Sequence, residues 1–213
     1  TGKIYEPTKE QIMEMLQLYR KEQPVAGRLV QFSSGEPTIH PDFLEILRGA
    51  REMGFSHIQV ASNGIKFADA DFTMRAAEAG LHTIYLQFDG LDDDVYEKIR
   101  GRKLLEYKLK TVEAVRKAGI KIVYVPTIAG GINEDQVGKI LQFALDNIDV
   151  SSGISYQPVA ITGRINYEER LKLRFTLPDL VRCIEEQTGI ANKDDWYPLS
   201  FVQPISKIIS AVR

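Results

Sequence analysis

The sequence predicts an α/β fold built on a parallel sheet, doubly wound or barrel-like. Short apolar runs rich in Val, Ile, Tyr and Phe alternate with amphipathic stretches of about three helical turns. Strands that alternate with helices imply right-handed crossovers, hence parallel pairing. Polar residues also collect at one end of the strands. Ser34, Glu36, Ser62, Asn63, Gln87, Asp89, Thr127 and Gln157 all fall at or just past a strand's C-terminal end, the rim where parallel α/β folds bind ligands.

In chain order, Thr8 caps a helix whose Ile12, Met15, Leu16 and Tyr19 follow helical spacing, and which fades before Pro24. A strand from Arg28 to Phe32 runs into Ser33-Ser34-Gly35-Glu36-Pro37-Thr38. A helix from about Asp42 to Met53 leads to a strand from His57 to Ala61 and the turn Ser62-Asn63-Gly64. Ala70 to Ala79 is helical until Gly80. His82 to Phe88 is a strand closing in Asp89-Gly90. A helix from Leu104 to Ala118 stops at Gly119, and the next strand spans Lys121 to Thr127 with Pro126 near its end. Asn133 or Asp135 starts a helix to about Leu145, Ser155 to Val159 is a strand, and Leu177 to Gln187 is a helix ending before Gly189.

Composition narrows the function classes. The 213 residues carry 27 Lys and Arg against 29 Asp and Glu, a net charge of -2, so no strong field favours nucleic acid or an anionic membrane. No apolar run approaches the roughly 18 residues that cross a bilayer. The N-terminus, with neither a basic nor an apolar leader region, gives the expectation of a cytoplasmic protein, membrane-associated if its substrate is a lipid. One cysteine, Cys183, excludes a disulfide framework, a Cys-rich zinc site or an iron-sulfur cluster ligated by this chain alone.

Each rim position also has a plain structural reading. Gly and Asn after a strand commonly just make the turn, as Asn63-Gly64 can, and Asp89 can cap the segment that follows. Successive strands ending in polar groups on one rim argue for a binding surface without naming its ligand.

Longer segments name a family. Gln31-Phe32-Ser33-Ser34-Gly35-Glu36-Pro37-Thr38-Ile39-His40-Pro41 resembles the Gly-Gly-Glu-Pro segment after the second strand of radical S-adenosylmethionine enzymes, with Ser34 replacing the first glycine. Ala61-Ser62-Asn63-Gly64 resembles that superfamily's Thr-Asn-Gly turn. Leu86-Gln87-Phe88-Asp89-Gly90, followed by Arg100-Gly101, is similar to its pattern of strand, Asp-Gly, short helix and Arg-Gly. Val123-Tyr124-Val125-Pro126-Thr127 and the run from Tyr156 to Arg164 fit as fifth and sixth strands. The resemblance covers about residues 1 to 165. The Gln157-Pro158-Val159-Ala160-Ile161-Thr162-Gly163-Arg164 ending, with Tyr5-Glu6-Pro7-Thr8, resembles an archaeal branch that includes tetraether lipid synthases and the radical methylases of methanopterin biosynthesis.

The resemblance implies a partial (β/α)6 TIM-like barrel. It implies an enzyme in which S-adenosylmethionine chelates one iron of a [4Fe-4S] cluster, and an electron donor drives its cleavage. The 5'-deoxyadenosyl radical so formed would serve methylation or C–C bond formation on an unactivated carbon of a small-molecule or lipid substrate. Glu36, with the backbone of Ser34 and Gly35 and beside Pro37, suits the cofactor's ammonium group. Ser62, Asn63, Gln87 and Asp89 would serve the ribose hydroxyls and the carboxylate end. Pro126, Thr127, Gln157 and Pro158 would meet the adenine. Serine at position 34 adds a Cβ where glycine permits close approach or positive φ.

Superfamily members carry Cys-x-x-x-Cys-x-x-Cys after the first strand, and this chain has no such motif. Thr1 is not Met, and the match begins in mid-domain. The expectation is therefore a piece of a larger enzyme whose first strand and cluster loop lie upstream, inactive when isolated. Residues 1–165 would be the barrel core (strands two to six), leaving an open sheet edge that favours association. Residues 166–213 would be a helical extension, itself cut short.

Cys183 reads as a small hydrophobe beside Leu180, Val181 and Ile184. His57 and His82 begin strands without metal-spaced partners, so no metal is expected on this chain, while His40 follows the binding loop and has substrate within reach. The competing class, a cysteine-independent α/β barrel enzyme or a binding module, finds only Ala129-Gly130-Gly131 as a candidate phosphate loop.

Overall fold

A computed structural model of the chain describes residues 6–160 and 166–197. In chain order the elements are α1 (Lys9–Arg20), β1 (Leu29–Phe32), α2 (Phe43–Glu52), β2 (His57–Ser62), α3 (Ala70–Glu78), β3 (Thr83–Gln87), α4 (Asp93–Arg100) and α5 (Leu105–Ala118). Then come β4 (Lys121–Val125), β5 (Thr127–Ile128), α6 (Val137–Asp146), β6 (Ser151–Ile154), β7 (Gln157–Pro158), α7 (Tyr167–Leu173) and α8 (Leu177–Thr188). One parallel sheet has the order β1-β2-β3-β4-β6, and β5 pairs in parallel with β7. The expected α/β fold with parallel strands is present, as an open partial barrel rather than a closed one.

Most expected elements form within a residue or two of their predicted bounds. At α1, the Thr8 hydroxyl accepts the Gln11 amide while the Gln11 side chain accepts the Thr8 amide, closing a capping box. The strand expected from Lys121 to Thr127 is split at Pro126, which has no N–H to give the ladder. The strand expected over Ser155 to Val159 forms only as β7. Before it comes β6, a strand the sequence did not predict, whose Ser151-Ser152-Gly153 lacks the β-branched and aromatic side chains that mark strands. The β4–β6 ladder carries a register shift between Ile122 and Val123 and resumes, past Pro126, as β5–β7.

The sheet has two unlike faces. Ile58, Val60, Ile84, Leu86, Ile122 and Tyr124 are fully buried against the helices; such side chains contribute roughly 1.5–3 kcal/mol each. Phe88, Tyr124 and Phe143 join that layer through ring contacts of 5.1 to 5.9 Å. The alternate residues Gln59, Ala61, Tyr85, Gln87, Val123 and Val125 line the other face and remain half-exposed. Among the described residues β1 pairs on one side only, with β2, and Leu29 at this edge is 60% exposed.

A smaller core of Ile128, Val137, Phe175, Leu180 and Ile184 joins α8 to α6. Cys183 packs beside it, as expected of a small hydrophobe, and its thiol pKa is raised by burial. The Gln187 side chain accepts from the Gly138 amide and donates to the Glu134 carbonyl. Gly130 donates its amide to the Leu173 carbonyl. A Cβ at position 130 would lie 2.9 Å from the Arg174 carbonyl oxygen and 3.0 Å from that of Lys172. Close backbone packing therefore accounts for the glycine of the Ala129-Gly130-Gly131 segment.

Candidate functional site

The loops after β1 and β2 form a first polar node. Ser34 and Gly35 both adopt left-handed backbone, with φ of 88° and 54°, the geometry for which glycine is the unstrained choice. They turn the chain so that Glu36 faces the next loop. One Glu36 oxygen accepts from the Thr38 amide (3.2 Å), the Thr38 hydroxyl (2.6 Å) and the Ser62 hydroxyl (2.9 Å). The other accepts the Asn63 amide at 2.7 Å. Lys66 adds a second tie, donating to the Thr38 carbonyl at 2.9 Å. Ser34 and Gly35 are exposed, and among the described residues no hydrogen bond uses their carbonyls.

The Asn63-Gly64 turn is gripped from below by α5. Lys108 donates from Nζ to the Asn63 carbonyl, and the Thr111 hydroxyl donates to the Gly64 carbonyl at 2.7 Å. Both side chains are fully buried. Gly64 has φ +81°, and a Cβ there would lie 2.5 Å from Leu86 Cδ1, so conformation and space both require glycine. Burial lowers the Lys108 pKa to about 8.

A second node lies past β3. Asp89 has no exposed side-chain surface and takes a two-pronged ion pair from Arg100, Nε at 2.8 Å and Nη2 at 3.1 Å. It also accepts the Thr127 amide at 3.0 Å. Gln87, with its amide oxygen turned to Arg100, accepts from Nη1 at 2.8 Å. Buried Asn133 donates to the carbonyls of Asp89 and Thr127 and accepts the Ala129 amide.

The rim thus brings Ser34, Gly35, Glu36, Pro37, Ser62 and Asn63 together, and separately gathers Gln87, Asp89 and Thr127. Gln157 is exposed beside Thr127, its partner across β5–β7, and Pro158 follows. The buried position of Asp89 differs from the cofactor contact expected of it: it supports the rim from beneath through Arg100 and Thr127. His40 likewise spends both ring nitrogens on backbone, at the Pro7 carbonyl and the Asp42 amide. Sequence reasoning missed Lys108, Thr111 and Asn133 as parts of the site. The available signal was a lysine and a threonine on the stripe of α5 that Val112 and Val115 mark as buried.

A parallel α/β partial barrel with a left-handed Ser-Gly-Glu loop and an Asn-Gly turn on one rim defines a class. Residues 1–144 match the model of the Radical SAM superfamily, and the chain belongs to that superfamily. It is 44% identical over 211 residues to the 7,8-dihydro-6-hydroxymethylpterin dimethyltransferase of Methanocaldococcus jannaschii, covering 98% of this chain and 42% of that protein. It is 25% identical over 147 residues to a probable GTP 3',8-cyclase of Sulfurisphaera tokodaii, covering 68% of this chain and 46% of that one. The chain therefore spans less than half the length of either relative.

Among solved structures, a domain of pyruvate-formate lyase-activating enzyme from Bacteroides vulgatus aligns with a TM-score of 0.59 at 18% identity, covering 75% of this chain and 92% of that one. The structure of anSMEcpe with bound AdoMet and Kp18Cys peptide aligns at 0.59 and 14% identity, covering 84% and 50%. At these identities the likeness shows the fold.

Enzymes of this superfamily use S-adenosylmethionine and a [4Fe-4S] cluster. The first node fits the former, since it presents a carboxylate and unused carbonyls to a cation. It does not fit the latter: among the described residues no group of three or more His, Cys, Asp or Glu side chains is placed to hold a metal ion. Also among them, no helix is long and apolar enough to cross a membrane.

Proposed function

We propose that this chain is the S-adenosylmethionine-binding part of a radical methylase that acts on a pterin-like substrate. The observation that carries the reading is the Glu36 loop. One Glu36 oxygen takes a single N–H, from Asn63, and so keeps acceptor capacity beside the unused carbonyls of Ser34 and Gly35. Three such acceptors match the three donors of an ammonium group. The Asn63 side-chain N–H2, without a partner among the described residues, suits the ribose hydroxyls or the carboxylate. Gln157 and Pro158 flank the adenine end. Asp89 acts here through Arg100, holding Gln87 and Thr127 in place.

Held by Glu36, Asn63 and the carbonyls of Ser34 and Gly35, S-adenosylmethionine would supply the radical chemistry of the superfamily when bound. Substrate would lie over the half-exposed face, where Gln59, Tyr85 and Gln87 offer amides and a ring without formal charge. That chemistry suits a neutral planar molecule with amide-like edges, and the 44% identical relative is named for a pterin. Tyr124 is core and Tyr156 donates to the Val137 carbonyl, whereas Tyr85 is half-exposed on this face.

Equilibrium dialysis of radiolabelled S-adenosylmethionine against the chain and its Glu36→Gln variant tests the reading. Saturable binding that weakens at least about tenfold in the variant is expected, from loss of a charge-assisted bond. Equal binding by both proteins, or none by either, would remove the assignment.

A further inference from the structure

A lysine with no exposed surface is an expensive residue, because its charge must leave water. On the buried stripe of α5 a leucine or methionine would pack at no such cost, so the ammonium must do something there. Its direct partner is the Asn63 carbonyl, and its Nζ lies 5.6 Å from the centre of the Tyr96 ring. One helical turn on, Thr111 takes the neighbouring Gly64 carbonyl. The amides of the same turn point elsewhere: Asn63 to Glu36, Gly64 to the Ser62 hydroxyl and Ile65 to the Asn63 side chain. The turn is therefore stretched between α5 below and the Glu36 loop beside it.

We propose that Lys108 is a positioning residue for the cofactor-binding rim, holding the Asn63-Gly64 turn by its carbonyls so that Glu36 and Asn63 stand ready for the ligand. This deepens the reading of the rim as an S-adenosylmethionine site and rests on it.

The charged and titratable groups around Lys108 come from three directions: Glu36 on the β1 loop, Asp89 past β3, and Arg100 with Tyr96 on α4. Burial dominates, with Asp89 and Glu36 pulling toward the charged form and Arg100 against it. A folded-state pKa of about 8, held by burial below the ordinary lysine value of 10.5, means that the unfolded chain binds this proton more tightly. The contribution of Lys108 to global stability therefore rises with pH across that window. Its grip on Asn63 changes the other way, since an ammonium donates more strongly than an amine. A lysine serving only as packing would not separate the two.

The test is amide exchange at Asn63, Gly64 and Ile65, read by NMR as protection factors between pH 7 and 9, together with the affinity for S-adenosylmethionine. In the native chain, protection at these amides and affinity should both fall about fivefold to tenfold across the window, the size of one charge-assisted bond. Lys108→Arg, which keeps its charge, should show a flat profile, and Lys108→Met should be weak at both ends. Should Lys108→Met fail to fold, the native chain against Lys108→Arg decides the matter. Protection that ignores pH while the Lys108 side chain titrates would overturn the proposal, as would protection that changes with affinity held constant. If no cofactor binds at any pH, it is the assignment of the rim that fails, and the protection profile alone decides whether Lys108 holds the turn.

Discussion

Glu36 and Asp89 are both carboxylates that follow a parallel strand, and their surroundings set them to different work. Glu36 is half-buried, is bonded to neutral amides and hydroxyls, and keeps acceptor capacity toward the rim. Asp89 has no exposed surface and is charge-paired with Arg100 and bonded to the Thr127 amide. Both carboxylates stand in the loop that follows a strand, Glu36 four residues past β1 and Asp89 two past β3; the difference lies in whether a guanidinium pairs with the oxygens. Within one rim, a carboxylate met by neutral donors stays open to a cationic ligand, whereas one met by arginine has become part of the frame.

That contrast can be broken at four places. The largest effect is expected from Arg100→Met, which leaves Asp89 buried without its countercharge. A loss of about 3–5 kcal/mol should appear as a lower midpoint in urea unfolding. Gly64→Ala comes next. Its strained φ and the contact with Leu86 should together cost roughly 2–4 kcal/mol by the same measurement, with weaker cofactor binding in whatever remains folded. Glu36→Gln puts an amide N–H2 against donors at one of its two oxygens, which should cost only about 1–2 kcal/mol in thermal unfolding while affecting binding far more. A stability loss from Glu36→Gln as large as that from Arg100→Met would erase the distinction between the nodes. Ser34→Gly is the smallest. Relief of the left-handed backbone, offset by greater freedom in the unfolded chain, should leave calorimetric stability higher by roughly 0.5 kcal/mol.

The alternation of strand and helix was legible because each buried run is continuous and each helix shows its period, so β1 to β4 and most helices form where expected. β6 was not, because Ser151-Ser152-Gly153 is held by its pairing to β4 rather than by any preference of its own. The bounds of α7 were not, because the seven residues of Tyr167–Leu173 make only about two turns, too few to show a clear period. At the site, Ser34, Glu36, Ser62 and Asn63 were legible as a motif, since close backbone turns restrict which residues can stand there. The burial of Asp89 was not, because whether Arg100 folds back onto it depends on where α4 lies. Lys108, Thr111 and Asn133 act on carbonyls more than 40 positions away or on the far side of a loop, and no local spacing announces such contacts.

The close approach at Gly130 carries a consequence for sequence variation. Because a Cβ at that position would press on the Lys172 and Arg174 carbonyls, the residue there and the path of the α7–α8 connection are not free to drift apart. Relatives with a side chain at the equivalent position should show a lengthened or rerouted connection. Those that keep the glycine should conserve the spacing between the β5 loop and α8 more strictly than they conserve the residues in between.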